Sequence, residues 1–181
     1  MKYVIASDIH GSAFWCEKLL QAFHKENADK LILLGDILYH GPRNDFPDEY
    51  CPKKVFAMLN EVKDKIVCAR GNCDSEVDQM VLEFPCLADY ALVSGTTGVL
   101  FVTHGHIYNK QTPPLLNDKD VLLNGHFHTP EFCRMQKGYY ANCGSVALPK
   151  DGTPHSYIVY ENDVLTWKNL QTGEIFKTER I

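Results

Sequence analysis

"IVCARGNCDSEVDQM", residues 66–80, opens as a short apolar run and breaks at Gly71. Ile66-Val67-Cys68-Ala69 reads as a strand buried on both faces. Asn72, Cys73 and Asp74 follow the glycine at once, and Ser75 with Asp78 three residues on matches a capping box for a short helix. A strand that ends in polar side chains and passes into a helix is the unit of an open α/β sheet. Such sheets place their sites at the carboxyl ends of strands.

The unit recurs. Val4-Ile5-Ala6, Leu31 to Leu34, Val99 to Val102 and Val121 to Leu123 are further candidate strands buried on both faces. Between the first two, Trp15, Leu19 and Phe23 recur at i, i+4 and i+8 from residue 12 to 27, a helix with Ser12 as N-cap. Pro52 opens a second helix whose stripe is Val55, Met58, Leu59 and Val62. This order implies right-handed βαβ crossovers. Beyond residue 130, Phe132 to Met135, Tyr139 to Ala141, Tyr157 to Tyr160, Val164 to Leu170 and Glu174 to Thr178 read as short antiparallel strands. They are expected to form a second sheet packed on the first, within a single domain spanning 1–181 because no linker divides the halves. Glu179-Arg180 is expected to fray.

Composition narrows the function. At 181 residues and 45% hydrophobic content, the chain suffices for one domain with a full core. No run approaches the roughly 18–20 apolar residues of a membrane span. The apolar start, Met1 to Ala6, is too short for a signal peptide, so a cytoplasmic location is expected. Seven cysteines, an odd number without a CxxC pair, are expected to be reduced thiols. Net charge is −5 with the signs interspersed, which disfavours nucleic acid as a partner. A homo-oligomer is left open.

Every buried strand of the first kind runs into metal-ligand residue types: Asp8-Ile9-His10, Gly35-Asp36, Gly71-Asn72, His104-Gly105-His106 and Gly125-His126-Phe127-His128. Singly, Asp8 and Asp36 could be caps or turn formers, and Gly71-Asn72 a turn. Five coincidences at five strand ends point to a metal site instead. Carboxylate, imidazole and amide donors without a thiolate cage suit Mn²⁺, Fe²⁺, Ni²⁺ or Zn²⁺. Seven ligands are too many for one ion and about right for two that share a carboxylate.

In order along the chain, DxH (Asp8, His10), GD (Asp36), GN (Asn72), HGH (His104) and GHFH (His126, His128) resemble the motifs of the calcineurin-like metallophosphoesterases. ASDIHGS, GDILYHGPRN, RGNCDSEVDQM and NCGSVALPK bring the chain nearest to the small bacterial YfcE-type phosphodiesterases. The resemblance implies an α/β fold, a four-layer αββα sandwich of two mixed sheets flanked by helices. It also implies two divalent cations, Mn²⁺ foremost. Asp8, His10, Asp36 and His128 would hold one, and Asp36, Asn72, His104 and His126 the other. The implied reaction is hydrolysis of a small phosphodiester by in-line attack of a hydroxide bridging the pair.

Many relatives carry a histidine after the GN asparagine, credited with protonating the leaving group. Here Cys73 takes that place, and a thiolate next to dications has no proton to give. Cys73 and, as a substitute acid beside water, His106 are the candidate catalytic residues, the alternative for Cys73 being a plain packing role. Arg43 is a candidate phosphate clamp and His40 a candidate substrate or ligand-orienting group. Asp74 reads equally as an N-cap or an orienter of an acid. Asn142 and Ser145 fall in a loop resembling the family's NPGS, with Cys143 in place of the proline. The rival expectation is a catalytically silent, protein-binding scaffold on the same fold, like the retromer subunit that shares it.

Overall fold

The computed structural model describes residues 1–181. Strands β1 (Lys2–Ala6), β2 (Lys30–Leu33) and β3 (Ile66–Cys68) alternate with helices α1 (Ala13–Glu26), α2 (Pro52–Asn60) and the single turn α3 (Glu76–Gln79). Eight further strands follow: β4 (Ala91–Ser94), β5 (Val99–Val102), β6 (Val121–Asn124), β7 (Glu131–Arg134), β8 (Tyr139–Asn142), β9 (Ser156–Glu161), β10 (Val164–Asn169) and β11 (Ile175–Arg180). Both sheets are mixed. The first has the order β11-β10-β9-β1-β2-β3 and the second β4-β5-β6-β8-β7.

The helix ends obey their local chemistry. Ser12 Oγ accepts the Trp15 N–H at 3.2 Å, and Asn27 closes α1 in the left-handed region at φ 50°. Pro52 sits in the first turn of α2, and Ser75 and Asp78 form the expected capping box on α3.

The expected division of the sheets at residue 130 is wrong. β7 and β8 join β5 and β6, with β8 parallel to β6, whereas β9 to β11 return to the first sheet. β9 takes the free edge of β1, pairing Lys2 with Glu161 and Ile5 with Ile158. Alternation tells which way a side chain faces and leaves the choice of neighbour to long-range pairing. Nor does the C-terminus fray: Glu179 and Arg180 pair with Leu165 and Val164 of β10. β5 and β3 are only half-buried on one face, against the expectation of full burial.

Alternate residues of β1 serve two cores. Tyr3 and Ile5, with Ile32 and Leu34, meet Leu100, Val102, Val121 and Leu123 between the sheets. Val4 and Ala6 instead pack under Trp15, Leu19 and Phe23 of α1 and Val55 and Leu59 of α2. The two-sheet sandwich is the expected one, except that a loop stands where a helical layer was expected on the second sheet. Over the second sheet the outer layer is the 103–120 loop, whose Leu116 packs with Leu122 and Tyr140. No helix is long and apolar enough to cross a membrane.

Candidate metal centre

The carboxyl ends of β1, β2, β3, β5 and β6 meet along one rim of the sandwich, so the site draws on both sheets. Asp8, His10, Asp36, His104 and His128 are buried, His126 is partly buried and Asn72 is exposed. Five of these residues occupy the left-handed region: Asp8 (φ 59°), His10 (48°), Asp36 (54°), His126 (62°) and His128 (63°). Such φ values are uncommon outside glycine, and their concentration here marks a site held against local preference.

Close backbone approach explains two glycines. A Cβ on Gly71 would lie 2.0 Å from Asp36 Oδ1, and one on Gly125 would lie 1.9 Å from Ser7 Oγ and 2.6 Å from Asp8 Oδ2. Gly125→Ala should therefore displace the carboxylate and the loop together. We expect it to lower the stability of the cation-free protein by about 1–3 kcal/mol, as overpacking does, read as a drop in thermal midpoint.

The donor atoms converge. Asp8 Oδ1 lies 3.5 Å from His10 Nε2 and 3.2 Å from His128 Nε2. Asp36 Oδ2 lies 3.7 Å from His10 Nε2 and 3.5 Å from His104 Nε2. Asn72 Oδ1 and His126 Nδ1 each come within 3.1 Å of His104 Nε2. Three rings are fixed from behind, because the carbonyls of Tyr39, Leu34 and Leu148 accept from Nδ1 of His10 (2.8 Å), His104 (2.7 Å) and His128 (2.6 Å). A carbonyl only accepts, so Nδ1 carries the proton and Nε2 is presented inward, as metal-binding histidines require. The other oxygens of the carboxylates are committed: Asp8 Oδ2 to the His126 N–H (2.9 Å) and Asp36 Oδ1 to the Cys73 N–H (2.8 Å).

Asp8 Oδ1 is buried without a hydrogen-bond partner. An orphan carboxylate oxygen facing two imidazole Nε2 atoms fits a cation among them, and the nitrogen and oxygen donors fit a divalent one. Two groups, Asp8-His10-His128 and Asp8-Asp36-His104, each bring their ligand atoms within 4.8 Å of one another.

Without cations the cluster balances its charge with protons. Although burial disfavours it, contact with Asp36 raises the His104 pKa to about 9. Burial likewise opposes, and the His10 and His128 imidazoles outweigh it, so Asp8 sits well below the usual carboxylate range. Burial and the neighbouring His104 lower His126 to about 4. A cation must therefore displace the His104 proton at neutral pH, while Asp8 has none to lose. Metal affinity should rise about tenfold per pH unit for each proton displaced, flattening near the His104 value. Calorimetry in buffers of different ionisation enthalpy would read the released protons; an affinity independent of pH between 6 and 8 contradicts this.

Asp74 is neither N-cap nor acid orienter, since Ser75 is the cap. Its Oδ2 accepts from Asp36 N (2.8 Å) and Gly71 N (2.7 Å), and Oδ1 from Ile37 N (2.9 Å). It ties the loops after β2 and β3 together. The 142–145 loop works similarly. Asn142 Nδ2 donates to Gly125 O (2.6 Å) and Ser145 Oγ to Asp8 O (3.0 Å). Cys143 donates its backbone N–H to Asn124 O at 3.0 Å, a bond the family's proline would lack.

A cavity of about 350 Å³ opens over the cluster, with Cys73, Arg43, Asn44 and Lys150 in its walls. His40 does not line the cavity; its ring packs on Tyr39, Phe46 and Tyr50 at centroid distances of 4.8, 4.6 and 5.2 Å. His106 lies beside the cluster, 5.4 Å from the His104 ring and 6.3 Å from that of His126, outside the lining. Lys150 and Asn44 escaped the sequence reading. Each sat in a stretch noted for its resemblance, but nothing in residue type or spacing set it apart.

Residues 1–164 match the family model of the calcineurin-like phosphoesterase superfamily domain. Phosphodiesterase YfcE of Escherichia coli (strain K12) is 48% identical over 166 residues, covering 92% of this chain and 90% of the relative. The solved structure of the E. coli phosphoesterase YfcE superposes with a TM-score of 0.97 at 45% identity, over 100% of both chains. A double mutant of Vps29 from Entamoeba histolytica shares the fold at a TM-score of 0.65 and 19% identity, over 100% of this chain and 98% of that one. The motifs at five strand ends, the two-sheet fold and these matches agree, and the chain belongs to the calcineurin-like phosphoesterase superfamily.

Proposed function

We propose that the protein is a metal-dependent phosphodiesterase acting on a small substrate at a dinuclear centre, with Mn²⁺ the favoured cation. The observation that carries this reading is Asp36 Oδ2, which comes within 3.7 Å of His10 Nε2 and 3.5 Å of His104 Nε2 and so would serve both cations. Asp8, His10 and His128 would complete one cation's shell, and Asn72, His104 and His126 the other's. Bound there, divalent cations supply positive charge for phosphoryl oxygens and acidify water enough for it to attack at neutral pH.

The chain's own residues do the rest. Asn72 offers a neutral amide oxygen, which keeps the site's excess charge positive. The backbone carbonyls behind His10, His104 and His128 hold each ring in its ligating tautomer. Asn44 offers an amide donor to the phosphoryl group from the wall, and Arg43 stands on the rim. The likeness to the curated E. coli phosphodiesterase supports diesters as substrates, and a cytoplasmic location accords with the reading. The scaffold alternative draws on Tyr90 and Leu92, 47% and 62% exposed on the second sheet's edge strand and its approach.

Bis(p-nitrophenyl) phosphate and chelator-stripped protein decide between them. The stripped protein should be inert and regain activity as Mn²⁺ is titrated back. Silence with metal demonstrably bound would transfer the reading to the scaffold.

A further inference from the structure

The cavity is graded in depth. Its floor is the buried donor cluster, and its rim carries two exposed cations, Arg43 from the loop after β2 and Lys150 from the loop after β8. Neither side chain takes part in an ion pair, in a chain whose net charge is −5. Both backbones are fixed. Asn44 N donates to Gly41 O (3.3 Å) and its Nδ2 to His40 O (2.8 Å), closing a turn around Arg43. Lys150 N donates to His128 O (3.2 Å), and the Lys150 carbonyl accepts from Thr153 N (3.0 Å) and Oγ1 (2.7 Å).

A phosphodiester carries a single negative charge, and the donor cluster with its cations would already be positive enough to seat it. The rim cations then have no partner on such a substrate. The volume, about 350 Å³, is roughly ten times the ~30 Å³ that a water occupies in the liquid, room for more than one phosphoryl group. We infer that the substrate carries a second anionic group on one ester arm, a phosphate or a carboxylate, held between Arg43 and Lys150. This deepens the phosphodiesterase reading and rests on it for the position of the first phosphoryl group.

The test compares two pairs of probes on Mn²⁺-loaded protein. Thymidine 3′,5′-bisphosphate and thymidine 5′-monophosphate are titrated by calorimetry, and their 5′-p-nitrophenyl esters are assayed for hydrolysis. The bisphosphate should bind roughly tenfold more tightly, as charge-assisted contacts at a partly screened site allow. That ratio should collapse toward one in Lys150→Gln and in Arg43→Gln, and shrink with added salt in the wild type. Equal binding of the two nucleotides by the wild-type protein, or a preference that survives both substitutions, overturns the inference. The preference without hydrolysis of either ester would sustain the second anion subsite and overturn the phosphodiesterase reading instead.

Discussion

Asp36→Asn is expected to lower kcat/KM on bis(p-nitrophenyl) phosphate by on the order of 10³-fold, beyond the roughly 10–100-fold typical of residues that merely support a ligand. The reason lies in how the two oxygens are used. Oδ1 accepts the Cys73 N–H at 2.8 Å, which fixes the carboxylate's orientation. An asparagine would keep its single oxygen for that bond and turn its NH₂ group toward His10 and His104. Two donor hydrogens would then occupy the place of the shared oxygen, and the site would lose a negative charge. The Nε2 proton that Asp36 stabilises on His104 would be lost more easily, which eases cation entry and offsets only part of the lost oxygen and charge. Metal content after dialysis should fall, measured by atomic emission, while the thermal transition stays cooperative. Activity within tenfold of the wild type would show that Asp36 does not serve both halves of the site.

How much of this was legible in the sequence depends on the range of the interaction. Ser12, Ser75 and Asp78 act within one helical turn, so their roles follow from local spacing. The strand-end donors were legible because each sits directly after an apolar run, and topology alone carries five such ends to one rim. Asp74 was not, because its three partners include Asp36 and Ile37, 38 and 37 residues away in sequence. The division of strands between sheets was hidden for a related reason: β9 satisfies the same apolar pattern in either sheet, and only the free edge of β1 decides. Ala91–Ser94 passed unnoticed as an edge strand, since pairing on one side leaves Leu92 exposed and the alternation runs against the usual polarity. From its place after the Asp36 strand, His40 was expected to reach the substrate or to orient a ligand. Its ring instead completes an aromatic cluster whose members, Phe46 and Tyr50, lie six and ten residues further on.

Cys73→His should convert a dependence on good leaving groups into a weak one. The thiol lines the cavity, and its Sγ groups with donors of His10 and Asp36 within 4.8 Å. Burial, followed by the Asp36 carboxylate, raises its pKa in the cation-free site, and bound dications would push the other way. Neither state makes an effective acid at neutral pH: a thiol with a raised pKa holds its proton, and a thiolate has none. An imidazole with an ordinary pKa of about 6.5 can donate, and general acid catalysis is worth roughly 10²–10⁴-fold. A Cβ on Gly41 would stand 3.3 Å from Sγ and 3.2 Å from Asn44 Nδ2, so that wall is closed and an imidazole at position 73 must extend into the open cavity. The substitution should raise the rate on a diester of unsubstituted phenol by about 10²-fold and change that on the p-nitrophenyl diester little. Cys73→Ser, lacking an acid of suitable pKa, should keep the steep wild-type slope of rate against leaving-group acidity. If the histidine variant keeps that slope as well, Cys73 is a packing residue, and protonation of the departing oxygen is not what limits this site.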